Sequence, residues 1–431
     1  MSAAAPSIVS WNLTRRCNLA CAHCYLDAGA RGGRAPDELG SAACRAIVDQ
    51  LCTVNREALL ILTGGEPLLR ADLEELCAYA SAQGLWVVIG TNGTLLTPER
   101  ARRVKQAGVK GVGISIDSTD SARHDAFRGK AGAWVGAVAG LTAASAAELD
   151  VVLQVTVMPW NLAELAELAH FAESHAARGI TFYFLVCTGR GQRQVELSPG
   201  EAEGVYGLLH ELQKQHAGRL QVQAKCAPQY QRFIHQRDRN SPSLHAFPGG
   251  CPAGIHYCRI GPSGEVTPCP YIPLAGGNLT KTPFSQIWLE SEVFARLRDR
   301  TRLQGRCGAC PYRQLCGGCR ARALADRGDL WAEDPTCGMP AADGADPLPA
   351  WPIEATYGDA ADGEGAVSWE PGAHESLKRI PPFVRGLVKS RMEQFALRQG
   401  TSTITYAMMI DIRERMRSKA GLNSTDNEGT R

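Results

Sequence analysis

The chain has 431 residues, 21% of them charged, and a formal net charge of +2. This length suits two or three domains, and so small a net charge gives no overall field that would attract nucleic acid or an anionic membrane. No run of about 18 apolar residues is present, and the segment before Ile8 is too short for a signal peptide. We therefore expect a cytoplasmic protein with no nucleic-acid partner and no membrane insertion.

Strand-like and helix-like patterns alternate through the first 190 residues. Strands are predicted at residues 8–13, 58–62, 85–89, 111–116, 151–157 and 180–186, and helices at 36–53, 72–84, 98–108, 134–147 and 162–178. Six such strands predict parallel βα units that curl into a partial (β/α)6 barrel of the TIM type, an α/β fold. The functional residues are then expected on loops at the carboxyl ends of the strands.

The first strand is followed by three cysteines with the spacing C-x3-C-x2-C, namely Cys17, Cys21 and Cys24. The sixteen cysteines of a chain in a reducing compartment are better read as metal or redox ligands where they cluster. Three thiolates with no fourth close by suit a cubane iron–sulfur cluster that keeps one iron open. The alternative is a zinc site, which usually has a second cysteine pair nearby.

Polar motifs follow the next strands. Gly64-Gly65-Glu66-Pro67 after the second strand offers bare backbone and one carboxylate, although such a motif alone also fits a turn into a helix that begins at Pro67. Ser115 and Asp117 close the fourth strand with side chains on one face, where both can bind hydroxyl groups.

The cysteine loop together with the Gly-Gly-Glu-Pro motif resembles the radical S-adenosylmethionine (SAM) superfamily. The resemblance implies a 4Fe-4S cluster on the three cysteines, an open iron that anchors SAM, contacts from Gly64, Gly65 and Glu66 to the SAM amino group, and ribose contacts from Ser115 and Asp117. Supporting contacts to the same ligand are expected from Thr91, Asn92, and Gln154 or Thr156, although each of these also fits a turn or core position. Arg128 either meets the SAM carboxylate or caps a loop.

The resemblance departs from the family pattern just before the third cysteine. Many members have an aromatic residue there that lies over the adenine, whereas this chain has His23. Histidine can also stack, and Tyr25 is the other candidate. Beyond the cluster ligands, the sequence predicts no catalytic side chain.

A second group of eight cysteines lies between residues 251 and 337: Cys251, Cys258, Cys269, Cys307, Cys310, Cys316, Cys319 and Cys337. Their spacing resembles the SPASM extension of radical SAM enzymes, with C-x2-C in place of the usual C-x3-C at the end of the quartet. The resemblance implies one auxiliary 4Fe-4S cluster on Cys251, Cys258, Cys269 and Cys319, and a second on Cys307, Cys310, Cys316 and Cys337.

Two alternatives stay open for this second group of cysteines. The group could hold two zinc ions, or one cluster only, with Cys251 or Cys258 spare. The five scattered cysteines, at 44, 52, 77, 187 and 226, are interpreted as small buried hydrophobes.

The tail has two parts. Residues 341–372 are rich in Pro, Gly, Ala and Asp and predict a flexible linker. Residues 373–420 have helical apolar spacing and predict a small all-α module, which is either a docking domain or, around Ile380-Pro381-Pro382-Phe383-Val384-Arg385, similar to the C-terminal helical domain of light-independent protochlorophyllide reductase. The predicted domains are then the barrel (1–190), a connecting helical segment (191–245), the SPASM domain (246–340), the linker and the module.

The resemblance implies an enzyme that receives an electron from a flavodoxin or ferredoxin, cleaves SAM to a 5′-deoxyadenosyl radical and takes hydrogen from its substrate. Residues 316–323 and 329–337 resemble the haem d1 and alternative-haem branch, so a small-molecule tetrapyrrole is the first choice of substrate.

Two other functions are compatible with parts of this sequence. The first is a ribosomal peptide maturase, although Cys17 leaves no room for the N-terminal recognition domain that such enzymes often carry. The second is a non-catalytic electron carrier or scaffold, which would have no use for the SAM motifs at Gly64–Glu66 and Ser115 and Asp117.

Overall fold

The computed structural model describes residues 5–29, 37–239, 241, 244, 250–339, 367–378 and, with gaps, 388–411. Three predicted features lie outside these residues in whole or in large part: the start of the first helix at Pro36, the linker as far as residue 366, and the apolar helix expected to begin at Pro381.

One ten-stranded sheet organises the chain. Its strands are β1 (Ile8–Asn12), β2 (Leu59–Thr63), β3 (Trp86–Thr91), β4 (Gly111–Ser115), β5 (Asp150–Val157), β6 (Gly179–Phe184), β7 (Gln221–Lys225), β8 (Tyr257–Ile260), β9 (Glu265–Thr267) and β10 (Gly277–Asn278). The spatial order is β10-β9-β8-β1-β2-β3-β4-β5-β6-β7. Strands β1 to β7 are parallel to their neighbours, and β8 joins the free edge of β1, also in parallel.

The sheet curves into a partial barrel. Alternate residues of a strand point to opposite faces, and in β6 the buried Phe182 and Phe184 pack in the main core while Tyr183 points the other way. The hydroxyl of Tyr183 lies close enough to that of Tyr257 on β8 to affect its pKa. This proximity occurs although β6 and β8 are six positions apart in the sheet order. Tyr183 and Tyr257 therefore face a common interior.

Helices cover the outer face of the sheet. They are α1 (Ser41–Val54), α2 (Leu73–Ala82), α3 (Pro98–Gln106), α4 (Ser121–Arg128), α5 (Ala133–Ala146), α6 (Leu165–Ser174), α7 (Pro199–Gln215) and α8 (Gln229–Arg237). Local sequence explains several starts: Ser198 and Glu201 form a capping box at the start of α7, and Thr97 caps α3 just before Pro98.

From β1 to β7, one strand and one helix were not predicted. Strand β7 reads as polar because Gln221, Gln223 and Lys225 share the face that Tyr183 occupies in β6, while Val222 packs outward. Helix α4 is short and mostly polar, and its apolar signal is weak. The predicted helix at 162–178 is also shorter than expected, since a 3-10 turn precedes α6 and the helix ends at Ser174.

The remaining described elements follow β8. Short helices span Phe284–Glu290, Glu292–Arg298, Gly305–Ala309, Arg320–Arg327 and Pro371–Lys378. In the tail, β11 (Ser368–Trp369) pairs in parallel with β12 (Thr403–Ile404), a pairing absent from the sequence prediction of helices. A small separate core there contains Ala373, Met392 and Ala396. Among helices of the described residues, none combines the length and apolar character needed to cross a bilayer.

Candidate functional site

The loop with Cys17, Cys21 and Cys24 leaves the carboxyl end of β1 and folds back on itself. The backbone N–H of Cys17 donates to Gly29 O at 3.0 Å. Backbone N–H groups also point at two of the sulfurs: Leu19 N lies 3.5 Å from Cys17 Sγ, and Ala28 N lies 3.4 Å from Cys24 Sγ. Such donors are typical of thiolates that bind an iron–sulfur cluster.

These thiols sit in a poorly solvated place. Burial raises the pKa of the Cys17 thiol to about 11, and burial likewise raises the pKa of Cys21. The free thiols of Cys17 and Cys21 therefore keep their protons at neutral pH, and a metal that binds there has to displace them. Three converging sulfurs with N–H donors fit a cluster that has three protein ligands.

Gly64 and Gly65 lie directly beneath this loop. Gly65 N donates to Thr14 O at 2.7 Å, and Glu66 N donates to Arg16 O at 2.8 Å. A Cβ atom on Gly64 would lie 2.6 Å from Thr14 O, and one on Gly65 would lie 2.1 Å from Arg16 O. Both glycines are thus required for the close approach of the cysteine loop to β2.

The carboxylate of Glu66 is fully buried and joins β2 to β3. It accepts hydrogen bonds from Thr91 Oγ1 at 2.7 Å, Asn92 N at 2.9 Å and Leu68 N at 3.1 Å. Burial raises the pKa of Glu66, and these donors oppose that effect. The side chain of Asn92 continues the network to the cysteine loop, where its Nδ2 lies 2.9 Å from Asn18 Oδ1.

Asp117 and Arg128 form a buried ion pair beside the second cysteine. Arg128 Nε and Nη2 lie 2.7 and 2.6 Å from Asp117 Oδ2, and Thr156 N donates to Oδ1 at 2.8 Å. Burial is the largest effect and would raise the pKa of Asp117, but Arg128, His23, His124 and the Thr156 N–H together outweigh it and lower that pKa. Arg128 Nη1 reaches to 3.8 Å from Cys21 Sγ. Both oxygens of Asp117 are thus already engaged, whereas the sequence predicted that Asp117 binds ribose.

Ser115 and Gln154 are paired across β4 and β5. The amide of Gln154 lies over Gly113, where a Cβ atom would come within 2.4 Å of its Nε2. The two polar side chains therefore share one patch of the barrel interior, next to the residues that hold Arg128.

The structure separates the two candidates for stacking on adenine. His23 is stacked on Phe127 of α4, with ring centroids 4.4 Å apart, and burial lowers the pKa of His23 to about 3. Tyr25 points instead into the barrel, where its hydroxyl accepts from Asn12 Nδ2 at 2.8 Å and its ring meets Tyr271 edge-on at 5.2 Å.

Sequence reasoning missed a clamp on the cysteine loop that follows β6. Arg190 Nε donates to Cys21 O at 2.9 Å, and Arg190 N donates to Cys24 O at 3.0 Å. Gly189 has φ +56°, and a Cβ atom there would lie 2.5 Å from Tyr25 O. A Gly-Arg-Gly sequence directly after a predicted strand was the available signal.

The second cysteine group divides into two places. Cys316 lies close enough to Cys307 and Cys337, and Cys310 close enough to Cys307, for each neighbour to raise its pKa. Gly318 N lies 3.4 Å from Cys316 Sγ, and Asp334 N lies 3.5 Å from Cys307 Sγ. The structure therefore brings together the four cysteines predicted for the second auxiliary cluster.

The set predicted for the first auxiliary cluster is brought together only in part. Cys251 and Cys269 pack against the small core that contains Cys319. Cys258 lies apart in the main barrel core, paired with Val9 across β8 and β1. Cys226, interpreted from sequence as a buried hydrophobe, packs with Cys251, Cys269 and Cys319. This placement argues against the prediction that Cys258 is a ligand.

Three family models match this chain. Residues 11–172 match the radical SAM superfamily, residues 251–311 match the SPASM iron–sulfur cluster-binding domain, and residues 369–413 match the proto-chlorophyllide reductase 57 kD subunit.

Similar proteins extend over the same part of the chain. An AdoMet-dependent heme synthase from Methanosarcina barkeri is 38% identical and covers 77% of this chain and 96% of its own. A pre-heme d1 synthase from Dinoroseobacter shibae is 36% identical over 78% of this chain and 87% of its own. The mycofactocin maturase MftC from Mycobacterium ulcerans is 33% identical over 77% of this chain and 88% of its own.

Among solved structures, Streptococcus suis SuiB bound to S-adenosylmethionine has the same fold, with a TM-score of 0.64 at 14% identity and 78% of each chain covered. The identity and coverage of the heme synthase relative establish the family. The chain belongs to the radical SAM superfamily of enzymes, whose cofactors are a 4Fe-4S cluster and SAM, and it carries a SPASM iron–sulfur domain and a segment of the protochlorophyllide reductase type.

Proposed function

We propose that this enzyme uses SAM to modify side chains of a tetrapyrrole, either a haem d1-like compound or a haem precursor. The proposal is carried by similarity over the barrel and the cysteine-rich region to proteins named AdoMet-dependent heme synthase, Fe-coproporphyrin III synthase and pre-heme d1 synthase. We place the reaction in the oxidoreductase or lyase type, with a flavodoxin or ferredoxin as electron donor.

The cluster is proposed to bind to Cys17, Cys21 and Cys24, and when bound it supplies the electron that cleaves SAM to a 5′-deoxyadenosyl radical. Arg128 lies beside Cys21 and is proposed to meet the SAM carboxylate, with Asp117 holding the guanidinium in place. Asp117 is therefore proposed to act on SAM through Arg128.

The other SAM contacts are proposed because the residues concerned lie at the carboxyl ends of the barrel strands or in the cysteine loop. The amino group is proposed to lie near Gly64, Gly65 and Glu66, at the end of β2. Polar residues at the ends of the following strands are proposed as further contacts to SAM: Thr91, Asn92, Ser115 and Gln154. His23 is proposed to stack on the adenine.

The barrel interior supports a large planar acid as substrate. Tyr25, Tyr183, Tyr257 and Tyr271 lie within range of one another there. Lys225 stands next to Tyr183 in the register of β6 and β7. Aromatic rings suit the faces of a tetrapyrrole. Burial lowers the pKa of Lys225 to about 7, and a substrate carboxylate beside it would favour the charged form and accept a charge-assisted hydrogen bond.

Arg259 supplies a second positive charge on the opposite side. Its Nε donates to Asn12 Oδ1 at 2.6 Å, and the other amide atom of Asn12 donates to Tyr25. Glu265, 3.4 Å from Arg259 Nη1, partly neutralises that charge. Lys225 and Arg259, on strands at opposite ends of the parallel part of the sheet, are both proposed as contacts to substrate carboxylates.

The chemistry is tested by product release. Anaerobically reconstituted protein given dithionite and SAM is expected to release 5′-deoxyadenosine. Cys21→Ala is expected to release none, whereas Cys52→Ala, which changes a cysteine of helix α1, keeps the yield. Equal yields from Cys21→Ala and the parent would end the proposal that this loop carries the cluster.

The substrate is tested by optical titration with iron coproporphyrin III, the compound in the name of one relative. We expect a shift of its Soret band and saturable binding. Loss of one charge-assisted hydrogen bond in Lys225→Met should weaken binding roughly tenfold or more. Lys214→Met, on the surface of α7, should leave it unchanged.

A second candidate function is peptide maturation, which the 33% identity to MftC favours. An unchanged Soret band over the whole titration, together with 5′-deoxyadenosine release that the porphyrin does not alter, would reject the tetrapyrrole and support this alternative.

A further inference from the structure

The first auxiliary cluster, as predicted from the cysteine spacing, lacks one ligand in the structure. A 4Fe-4S cluster bound wholly by protein needs four thiolates. Cys251, Cys269 and Cys319 meet in one small core, but the fourth predicted ligand, Cys258, does not join them. A different side chain must therefore supply the fourth thiolate.

Cys258 has the surroundings of a structural residue. It is fully buried on β8, and in a parallel pair directly opposed residues share a face, so it points with Val9 into the main barrel core. Val9, Ile260 and Val266 belong to the same core. The charged group that acts on its thiol is Arg298. A small apolar side chain would meet the same packing requirements.

Cys226 has the opposite surroundings. It is the first residue after β7 and has φ 58°, a left-handed conformation that side-chain-bearing residues rarely adopt. Its thiol accepts a hydrogen bond from the hydroxyl of Tyr271 and lies within range of charge interaction with Cys251. Cys269 and Cys319 each lie within the same range of Cys226.

Two buried side chains tie Cys226 to Cys319. The carbonyl of Cys226 accepts from Arg322 Nη1 and Nη2, each at 3.3 Å. Arg322 Nη1 lies 3.4 Å from Asp334 Oδ2, and the same carboxylate oxygen accepts from Cys319 N at 2.6 Å. The two cysteines are thus held at one point, although 92 residues separate them in the sequence.

We propose that Cys226, and not Cys258, is the fourth protein ligand of the first auxiliary 4Fe-4S cluster, together with Cys251, Cys269 and Cys319. The cluster is then bound partly by the barrel, through the loop after β7, and partly by the SPASM domain. A cluster shared in this way fastens the two regions to each other. The assignment rests on the cofactors of the family and is independent of which substrate the enzyme uses.

The test measures the auxiliary clusters alone in the full-length chain. A parent variant, Cys17→Ala with Cys21→Ala and Cys24→Ala, removes the N-terminal ligands. Cys226→Ala and Cys258→Ala are each added to it as a matched pair. Iron and acid-labile sulfide per chain are counted after anaerobic reconstitution, and the dithionite-reduced proteins are compared by electron paramagnetic resonance.

We expect Cys258→Ala to match the parent in iron, sulfide and resonance. Cys226→Ala should bind about four fewer irons, or keep them with a changed resonance that responds to added cyanide, because one iron would then lack a protein ligand. The proposal is overturned if Cys226→Ala matches the parent, or if Cys258→Ala is the variant that changes.

Loss of all iron in Cys226→Ala would point to misfolding. In that case the variant Cys226→Ser distinguishes misfolding from the loss of a cluster ligand. An oxygen ligand at this position should retain the cluster with a shifted resonance, and a resonance identical to that of the parent would overturn the assignment. Neither SAM nor a porphyrin enters these measurements, so a negative result here leaves the proposed function standing. Equally, a failure of the porphyrin titration leaves the ligand assignment standing.

Discussion

The two cysteine regions of this enzyme are built in different ways. In the N-terminal region the three cysteines lie within eight residues, and the rest of the barrel closes around that loop. In the cysteine-rich region, the thiols that meet come from residues as far apart as Cys226 and Cys319. When the cysteines are close in the sequence, their spacing largely fixes how their side chains converge. A site built from distant residues depends on tertiary contacts such as that between Arg322 and Asp334.

The supports differ in kind as well. Backbone contacts hold the N-terminal loop: Gly65 beneath it, Gly189 beside it, and Gly129, whose Cβ would lie 2.7 Å from Ala20 O. Buried charged side chains hold the second region, since Arg322 is 3% exposed and Asp334 is fully buried. Substitutions that add volume should therefore break the first region, and substitutions that remove charge should break the second.

The largest expected effect comes from Gly65→Ala. The added Cβ would lie 2.1 Å from Arg16 O, so the cysteine loop must move away from β2, at a cost of about 4 kcal/mol or more. Denaturant unfolding of the anaerobic holoenzyme and its iron content measure this. Gly204→Ala in α7 is the matched control, because its Cβ meets nothing within 4 Å, and helix propensity predicts a gain of about 1 kcal/mol.

A Gly65→Ala enzyme as stable as the Gly204→Ala control would contradict the close packing of loop and sheet, and with it the distinction between the two regions.

The N-terminal region also contains a buried ion pair, that of Arg128 with Asp117, which the variant Arg128→Met tests. Removing the guanidinium leaves Asp117 buried and unpaired, and we expect a loss of about 3–5 kcal/mol in unfolding free energy. A double variant that also carries Asp117→Asn should recover a large part of it. Additive losses in the double variant would show that the pair does not act as a unit.

In the second region, Arg322→Met is expected to lower the unfolding free energy by about 3 kcal/mol, because Asp334 loses its buried partner. The control is Arg306→Met, which breaks a half-exposed ion pair with Glu333 and should cost less than about 1 kcal/mol. The same denaturant titrations measure both. Equal losses would mean that Arg322 is no more important than a surface arginine.

The smallest effect is a pH dependence at His124. Its Nδ1 accepts from Asp117 N at 3.2 Å, and burial lowers its pKa from 6.5 to about 4, helped by Arg128 and opposed by Asp117 and Asp125. Because the folded pKa is depressed, the unfolded chain takes up the proton first, so stability is lost as the pH falls from 6.5 towards 4.

Between pH 6.5 and 5 the native enzyme should lose about 2 kcal/mol more than His124→Asn, whose side-chain oxygen can accept the same backbone N–H. Unfolding curves at the two pH values give the difference directly, and identical curves for both proteins would refute the prediction.

Much of the fold was predictable from the sequence because six strands reach the core through apolar side chains. Strand β7 was not, since Gln221, Gln223 and Lys225 face the barrel interior and only Val222 packs strongly outward. The position of the N-terminal site could also be predicted from the sequence, because Cys17, Cys21 and Cys24 are neighbours in the chain. The engagement of Asp117 by Arg128 was not, because it depends on helix α4, whose polar sequence gave no clear signal.

The amino-acid sequence alone determined the family and the cofactors, and it predicted which loop binds the SAM-cleaving cluster, because short motifs with a characteristic residue spacing carry that information. Only the tertiary structure decided that Cys258 belongs to the apolar core and that Cys226 lies among Cys251, Cys269 and Cys319. The physical reason is that the direction of a cysteine side chain depends on strand register and backbone conformation, neither of which can be read from its distance to the next cysteine along the chain.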